Sequence, residues 1–244
     1  VSSGTAGTAL SAVKVLVQDA YGNTVTSDNT STVVLSVASG PGAFTSTSLL
    51  SVKAVNGLAT FSNLILNTSG NYTLQATDGS LSAPTSKTIT IQPAAATSLA
   101  FIQQVPASVT AGTAISPAIS IGVYDAFGNL VTSDGSTVTL LQSGGTFSTG
   151  KSSLAVSAVN GVATFTNVAI NKTGNYTLSA SDGTLTGTKS STFAVTPAAA
   201  SQTAFLSIPA TGTAGVALSA SPRVVVQDAF GNAVTTDTST VTLN

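Results

Sequence analysis

A seven-residue stretch that occurs three times is the strongest constraint on what this 244-residue chain folds into. It reads VQDAYGN at residues 17–23, VYDAFGN at residues 123–129 and VQDAFGN at residues 226–232, so the aspartates stand 106 and 103 residues apart. Three other segments repeat with a step of 104 residues: AVNGLATF at 54–61 and AVNGVATF at 158–165, GNYTL at 70–74 and 174–178, and PAAA at 93–96 and 197–200. Four markers with one period indicate tandem copies of a single structural unit.

The period predicts three copies, which we number in chain order: copy 1 (residues 1–95), copy 2 (residues 96–199) and copy 3 (residues 200–244). Val1 aligns with Pro106, so copy 1 lacks the first strand of copy 2, and copy 3 stops about four strands short. We therefore expect the chain to be part of a longer array in which each copy contacts its neighbours. The PAAA linkers are short and contain no glycine, which favours semi-rigid joints and an elongated rod.

Copy 2 alternates apolar and polar residues in the manner of half-buried strands, as at Ile119, Ile121 and Val123. An Asn160-Gly161 pair between two apolar runs predicts a tight hairpin. The pattern predicts seven strands, at residues 97–103, 119–124, 137–142, 153–159, 162–170, 176–180 and 190–195. Seven short strands in about 100 residues are typical of a two-sheet sandwich of the immunoglobulin type. The predicted fold class is therefore all-β, a tandem series of immunoglobulin-like β-sandwiches.

A tyrosine stands two residues before a buried position in the penultimate strand of both long copies. Tyr72 precedes Leu74, and Tyr176 precedes Leu178. In immunoglobulin-like sandwiches a tyrosine at this place donates its hydroxyl to a nearby backbone carbonyl. We predict such a corner bond in both copies, with the two leucines occupying the place of a core cysteine.

The composition excludes several classes of function. The chain has 7 basic and 8 acidic residues, a net charge of −1 and no basic surface with which to bind nucleic acid or an anionic membrane. No apolar run is long enough to insert into a membrane. Histidine, cysteine and glutamate are all absent, so the usual acid–base groups and activated nucleophiles are missing. We predict that the chain is not an enzyme.

All eight acidic residues are aspartates that recur at three equivalent places. They are Asp19, Asp125 and Asp228; Asp28, Asp134 and Asp237; and Asp78 and Asp182. In an immunoglobulin-like sandwich these loops lie at one pole, so three carboxylates there could bind calcium through hard oxygen ligands. The alternative is that each aspartate caps a turn, as expected for Asp at the first and Gly at the fourth position of Asp19-Ala-Tyr-Gly22. Calcium is the one cofactor considered, and no other is predicted.

The aromatic residue of the repeated stretch has two interpretations. Tyr21, Phe127 and Phe230 each stand at a predicted loop tip. The aromatic ring fills the end of its own sandwich core, which we favour because aromatic rings dominate core burial. Alternatively it packs against the PAAA linker of a neighbouring copy.

The successive motifs VxVxDAxGN, AVNGxATF and GNYTLxAxDG resemble the bacterial immunoglobulin-like tandem repeats of the invasin and intimin type, found in large bacterial surface proteins. The likeness covers both long copies and the shorter third one. It implies an extracellular location on the bacterial cell surface and a role as stalk or spacer.

We therefore expect a structural segment of a surface stalk or extracellular filament. Its expected partners are neighbouring copies of the same chain, and the low charge favours lateral or end-to-end self-association into fibres. The alternative is an adhesive module that binds a glycan or a protein at the aspartate-rich pole.

Overall fold

The computed structural model describes residues 1–79, 81–83 and 85–243, and Asn244 of copy 3 lies outside them. Every regular element in these residues is a β-strand. Copy 1 contains β1 (Ser3–Thr5), β2 (Val13–Leu16), β3 (Thr32–Ser39), β4 (Ser51–Lys53), β5 (Leu58–Phe61), β6 (Gly70–Asp78), β7 (Leu81–Ser82) and β8 (Ile89–Gln92). None of the described residues belongs to a helix that could span a membrane.

Copy 2 and copy 3 contribute twelve further strands. These are β9 (Ala96–Phe101), β10 (Ser108–Thr110), β11 (Ile119–Asp125), β12 (Thr137–Gln142), β13 (Ser153–Ser157), β14 (Val162–Phe165), β15 (Gly174–Tyr176), β16 (Leu178–Ser181), β17 (Thr188–Lys189), β18 (Phe193–Thr196), β19 (Ala200–Ser207) and β20 (Arg223–Asp228).

Strand pairing in copy 2 follows the immunoglobulin pattern. One sheet has the order β14-β11-β9, and the strands of the other form two ladders, β13-β12-β16-β17 and β10-β18-β15, with β10 parallel to β18. Copy 1 repeats the second sheet as β1-β8-β6-β3-β4, with β7 on β6, while β2 pairs with β5. Copy 3 contributes the β19–β20 pair. The predicted fold class is confirmed, whereas the rod arrangement stays a prediction.

Alternation along the strands builds the core of copy 1 from both of its sheets. In β3, Val33 and Leu35 are buried between exposed neighbours. One apolar cluster joins these residues to Ala59 and Phe61 of β5 and to Leu74 of β6. Burying these side chains contributes about 25 cal/mol for each Å² of apolar surface removed from water. The two sheets therefore form one sandwich around a shared core.

The predicted strands differ from the observed ones at several places. The strand predicted for residues 176–180 is divided at Thr177 into β15 and β16, and the one predicted for residues 190–195 begins only at Phe193. The strand predicted for residues 162–170 ends at Phe165, because Asn167 has a positive φ of 58° and redirects the chain. Val168 and Ile170 stay buried but accept loop hydrogen bonds, from Ile115 and Gly112. The short strands β10 and β17 were not predicted, since two or three residues are too few to show a period.

The chain divides into two compact units. The first comprises Val1–Ser98 together with Val123–Asp134, and the second comprises Leu99–Gly122 together with Gly135–Asn244. The loop that follows β11 thus belongs to the first unit, with copy 1. The loop that follows β20 belongs to the second unit, with most of copy 2. The copy boundaries read from the sequence stay a prediction.

Candidate functional site

Each DAxGN stretch forms the same tight turn, which we call the clamp loop: residues 19–23, 125–129 and 228–232. In the second clamp loop the Gly128 N–H donates to the Asp125 carbonyl at 3.2 Å. The Asp125 Oδ1 accepts the N–H groups of Phe127 at 2.9 Å and Asn129 at 2.8 Å. Gly22 and Gly231 close the other two clamp loops in the same way. The interpretation of this aspartate as a turn cap is confirmed.

The second carboxylate oxygen of the clamp loop holds the PAAA linker. Asp125 Oδ2 accepts the Ala94 N–H at 2.9 Å and the Asn129 side-chain amide at 2.8 Å. Asp228 Oδ2 accepts the Ala198 N–H at 3.0 Å and the Asn232 amide at 2.8 Å. Each carboxylate therefore accepts four hydrogen bonds, three from its own clamp loop and one from the linker, and both aspartates are buried.

These donors determine the charge state of the buried aspartates. Burial opposes ionisation of Asp228, but the bonds from Asn232, Ala198 and Phe230 outweigh it and lower the pKa from 3.8 to about 2. The pKa of Asp125 is also lowered, because Asn129, Ala94 and Phe127 outweigh the same burial effect. Both side chains are consequently anionic at neutral pH, although each is almost fully removed from water.

The asparagine that ends the clamp loop binds a second segment, which we call the receiving loop. In the first unit this is residues 66–69, and in the second unit residues 170–173. Asn129 donates its Nδ2 to the Asn67 carbonyl at 2.8 Å and accepts the Ser69 N–H at 2.8 Å. Asn232 makes the equivalent pair with the Asn171 carbonyl at 2.7 Å and the Thr173 N–H at 3.0 Å.

The predicted corner tyrosines hold the receiving loop in place. The Tyr72 hydroxyl donates to the Thr68 carbonyl at 2.8 Å, and the Tyr176 hydroxyl donates to the Lys172 carbonyl at 3.1 Å. Both corner bonds are therefore confirmed. Thr68 lies between the two residues that Asn129 contacts, so the corner bond orients the backbone groups that the asparagine binds.

The aromatic side chain of the clamp loop packs over a glycine, which corrects the favoured interpretation. A Cβ on Gly7 would lie 2.1 Å from Phe127 Cζ, and one on Gly112 would lie 2.1 Å from Phe230 Cζ. Phe127 is 45% exposed and Phe230 39% exposed, so neither fills the core of its own sandwich. The partner is a glycine of a Thr-Ala-Gly turn, at which a larger residue would displace the ring.

The clamp loop of copy 1 has the same turn but fewer contacts. Asp19 accepts the N–H groups of Tyr21 and Asn23 and the Asn23 amide, which lower its pKa. Asp19 and Asn23 are exposed, and Tyr21 is 91% exposed. The turn therefore forms without these contacts. Only the clamp loops at residues 125–129 and 228–232 also contact the linker, the receiving loop and the glycine.

Asp28, Asp182 and Asp237 cap turns or bond to a neighbouring loop. Asp28 accepts the N–H groups of Thr30 and Ser31 at 2.9 and 3.0 Å, which lowers its pKa. Asp237 accepts the Ser239 N–H, and Asp182 accepts the Ser136 hydroxyl. Within residues 1–79, 81–83 and 85–243, no group of three acidic side chains is placed to hold a metal ion. Calcium binding at Asp19, Asp28, Asp78, Asp125, Asp134, Asp182, Asp228 or Asp237 stays a hypothesis, for which calorimetric titration is the test.

Sequence reasoning found the clamp loop but missed what it contacts. The contacted segments are themselves repeated in the sequence. Thr-Ala-Gly recurs at residues 5–7, 110–112 and 213–215, and the segments N-T-S-G-N-Y and N-K-T-G-N-Y end at the two corner tyrosines. No local rule connects these segments with a turn that lies about 60 residues further along the chain for the receiving loops and about 120 residues further for the Thr-Ala-Gly turns. Only the folded structure brings them together.

Sheet order, corner tyrosines and repeated clamp loops define the chain as tandem immunoglobulin-like β-sandwich modules. No family model matches the sequence, and no curated protein does. The chain is similar to the solved structures of FdeC, an Escherichia coli adhesin (19% identity, 96% of this chain and 73% of that one, TM-score 0.49), and InvD of Yersinia pseudotuberculosis (20%, 95% and 69%, 0.44). It is also similar to the D0-D1 domain of intimin (18%, 80% and 94%, 0.29). Segments of bacterial glycosidases match as well, at 14% and 11% identity.

Proposed function

We propose that this chain is a structural spacer in an extracellular bacterial surface stalk or filament, in which clamp loops lock consecutive modules together. The observation that carries the proposal is that two clamp loops, 103 residues apart, make equivalent hydrogen bonds to the linker and to the receiving loop. A module that only needed a flexible tether would not need to bury an aspartate and an asparagine at each linker.

Three separate contacts give the joint its stiffness. The aspartate holds the linker, the asparagine holds the receiving loop and the phenylalanine covers the Thr-Ala-Gly glycine. Contacts with three different segments restrict the movement of the joint more than the linker alone would. The bond between the aspartate and the linker is charge-assisted and therefore stronger than a neutral hydrogen bond, so this contact resists displacement most.

The same contacts favour a spacer over an adhesive pole. A carboxylate that already accepts four hydrogen bonds has little capacity left for a glycan hydroxyl or a protein amide. The aspartates on which the adhesive alternative depends are therefore occupied at residues 125 and 228. Lateral self-association into fibres is a further proposal, based on the low surface charge.

Small-angle X-ray scattering of clamp variants tests the spacer function. The variant carrying Asp125→Ala, Asn129→Ala, Asp228→Ala and Asn232→Ala should show a broader distribution of interatomic distances at unchanged strand content by circular dichroism. The matched control is Asp19→Ala with Asn23→Ala, which alters the clamp loop of copy 1 and should leave the distribution unchanged. Identical scattering from both variants and the unmodified chain would refute stiffening by the clamp loops.

A further inference from the structure

Strand β13 forms one edge of the four-stranded ladder β13-β12-β16-β17 in copy 2. It pairs antiparallel with β12, and among the strands of residues 1–79, 81–83 and 85–243 none pairs with its other side. Further strands of copy 2 precede and follow β13 along the chain, so this free edge belongs to the module itself.

The backbone of β13 presents three residues to the free side. The Ala158 N–H, directly after the strand, donates to the Ser136 carbonyl at 2.8 Å, so the backbone groups of Ala158 face the side of β12. The direction of the backbone groups alternates from one strand residue to the next. The N–H and C=O groups of Ser153, Ala155 and Ser157 therefore point away from β12.

The sequence of β13, Ser153-Leu-Ala-Val-Ser157, has nearly the same chemistry in both directions. When the strand is reversed about its central alanine, serine meets serine and Leu154 meets Val156. These two side chains are half-buried, although their partners on β12, Leu140 and Val138, are fully buried. Two β13 strands placed edge to edge in opposite directions therefore bring apolar groups together and leave small polar groups on the outer face.

Comparable edges carry a lysine that β13 lacks. Strand β4, the equivalent edge of copy 1, has three residues and includes Lys53 where β13 has Ser157. Strand β17, at the other edge of the same ladder as β13, has two residues and includes Lys189. Short length and an edge lysine both oppose pairing with another chain. Strand β13 has five uncharged residues, and Lys151 stands two positions before it.

We propose that β13 is a docking surface for β13 of a second, identical chain, with the two strands antiparallel about a two-fold axis at Ala155. In this register the outward backbone groups of Ala155 bond to those of the second chain's Ala155, and each Ser153 bonds to the opposite Ser157. All three outward residues thus form hydrogen-bonded pairs. Leu154 lies opposite Val156 of the second chain at the close spacing of a non-hydrogen-bonded pair, which covers both side chains.

The same register supports a second chain as the occupant. The one alignment that uses every outward backbone group also places chemically similar side chains opposite each other, as a two-fold contact between identical surfaces requires. It joins two four-stranded ladders into one continuous sheet. Five residues on each side bury less surface than a standard interface, so we expect reversible association at high protein concentration.

This inference rests on the lateral self-association proposed above and identifies its surface, and it is independent of stiffening by the clamp loops. Whether modules stack stiffly along one chain does not alter the edge that β13 offers to a neighbouring chain.

Analytical ultracentrifugation of the 244-residue chain tests the docking surface. A monomer–dimer equilibrium is expected in a concentration series that extends to about 1 mM, the range of weak specific binding. Ala155→Lys should weaken the association about ten-fold, because two ammonium groups then face each other across the axis. Ala155→Asp should do the same, and an equimolar mixture of the two variants should associate again. The matched control is Ser51→Lys, at the equivalent position of β4, which should leave the equilibrium unchanged.

Hydrogen exchange locates the paired strand. At high protein concentration the amides of Ser153, Ala155 and Ser157 should gain protection, whereas those of Leu154 and Val156, which already face β12, should not change. A contact that only covered the surface would not produce this alternation.

Four outcomes would each overturn the pairing of β13 with itself. They are a chain that is monomeric at every concentration, association that is unaltered in Ala155→Lys, a mixture of the two charged variants that fails to associate, and protection gained only by other strands. None of these outcomes bears on the stiffness of the joints, which scattering from dilute clamp variants measures separately.

Discussion

At the scale of single residues, Asn23 and Asn129 occupy equivalent positions in the same turn and have different surroundings. Both donate their amide to the aspartate of their own clamp loop. Asn129 also bonds to the Asn67 carbonyl and the Ser69 N–H and is buried, whereas Asn23 is exposed. Substituting each of the two asparagines therefore separates the contribution of the turn to stability from that of the contacts with the receiving loop.

Asn129→Ala should destabilise the first unit by about 2 kcal/mol, since it leaves the Ser69 N–H and the Asn67 carbonyl without their partner. Asn23→Ala should cost much less, because only the turn bond is lost and water replaces it. Hydrogen exchange provides the measurement: the Ser69 amide should exchange faster in Asn129→Ala and at its normal rate in Asn23→Ala. Equal exchange rates for Ser69 in both variants would contradict a role for the asparagine beyond the turn.

The charge on Asp228 makes the second clamp sensitive to acid. Its pKa falls from 3.8 to about 2 on folding, so its contribution to stability is complete above about pH 4 and is lost as the pH falls towards 2. The unmodified chain should therefore unfold at a higher temperature than Asp228→Asn above pH 4, and this difference should shrink as the pH approaches 2. A difference in melting temperature that stays constant across this range would show that the charge of Asp228 plays no part.

At the scale of structural elements, local patterns in the sequence predict the strands and turns, but they do not predict the contact between the clamp loop and the Thr-Ala-Gly turn. The corner tyrosines, the Asn-Gly hairpin and most strands follow from local patterns, and all are present. Asn160 and Gly161 both have positive φ, at 51° and 76°, as that hairpin type requires. The packing of Phe127 on Gly7 could not be predicted, because the two residues are 120 positions apart and the glycine also serves its own turn.

Gly112 and Gly215 form a matched pair for measuring this packing. Their φ angles are 72° and 75°, so an alanine meets the same backbone strain at both. A Cβ at Gly112 would collide with Phe230, whereas nothing lies within 4 Å of a Cβ at Gly215. Gly112→Ala should therefore destabilise the chain by about 1 kcal/mol more than Gly215→Ala, as the ring loses its packing surface.

Thermal unfolding of these two glycine variants, with NMR shifts of the Phe230 ring, checks that difference. The ring resonances should move in Gly112→Ala alone. Equal melting temperatures and an unmoved ring in Gly112→Ala would show that the aromatic residue does not depend on the glycine.

At the scale of the whole molecule, the clamp loops of copies 2 and 3 each contact the preceding copy. In copy 3, strand β19 is largely exposed. The segment that carries β19 and β20 contacts the rest of the second unit through the Asp228, Asn232 and Phe230 contacts described above. Stability in such an array is approximately the sum of module terms and nearest-neighbour terms. Substitution of the clamp residues should therefore weaken the nearest-neighbour terms and leave the stability of each single module unchanged.

Insertion of a second copy of residues 96–199 after Ala199 tests this additivity. The added module should raise the calorimetric unfolding enthalpy by about 70 kcal/mol, at roughly 0.7 kcal/mol per residue, and unfold together with its neighbours. The control is the same insertion with alanine at the inserted equivalents of Asp125 and Asn129, and it should show an additional transition at lower temperature. If both insertions gave the same melting profile, the clamp would contribute nothing to the coupling between modules, and each module would be an independent folding unit.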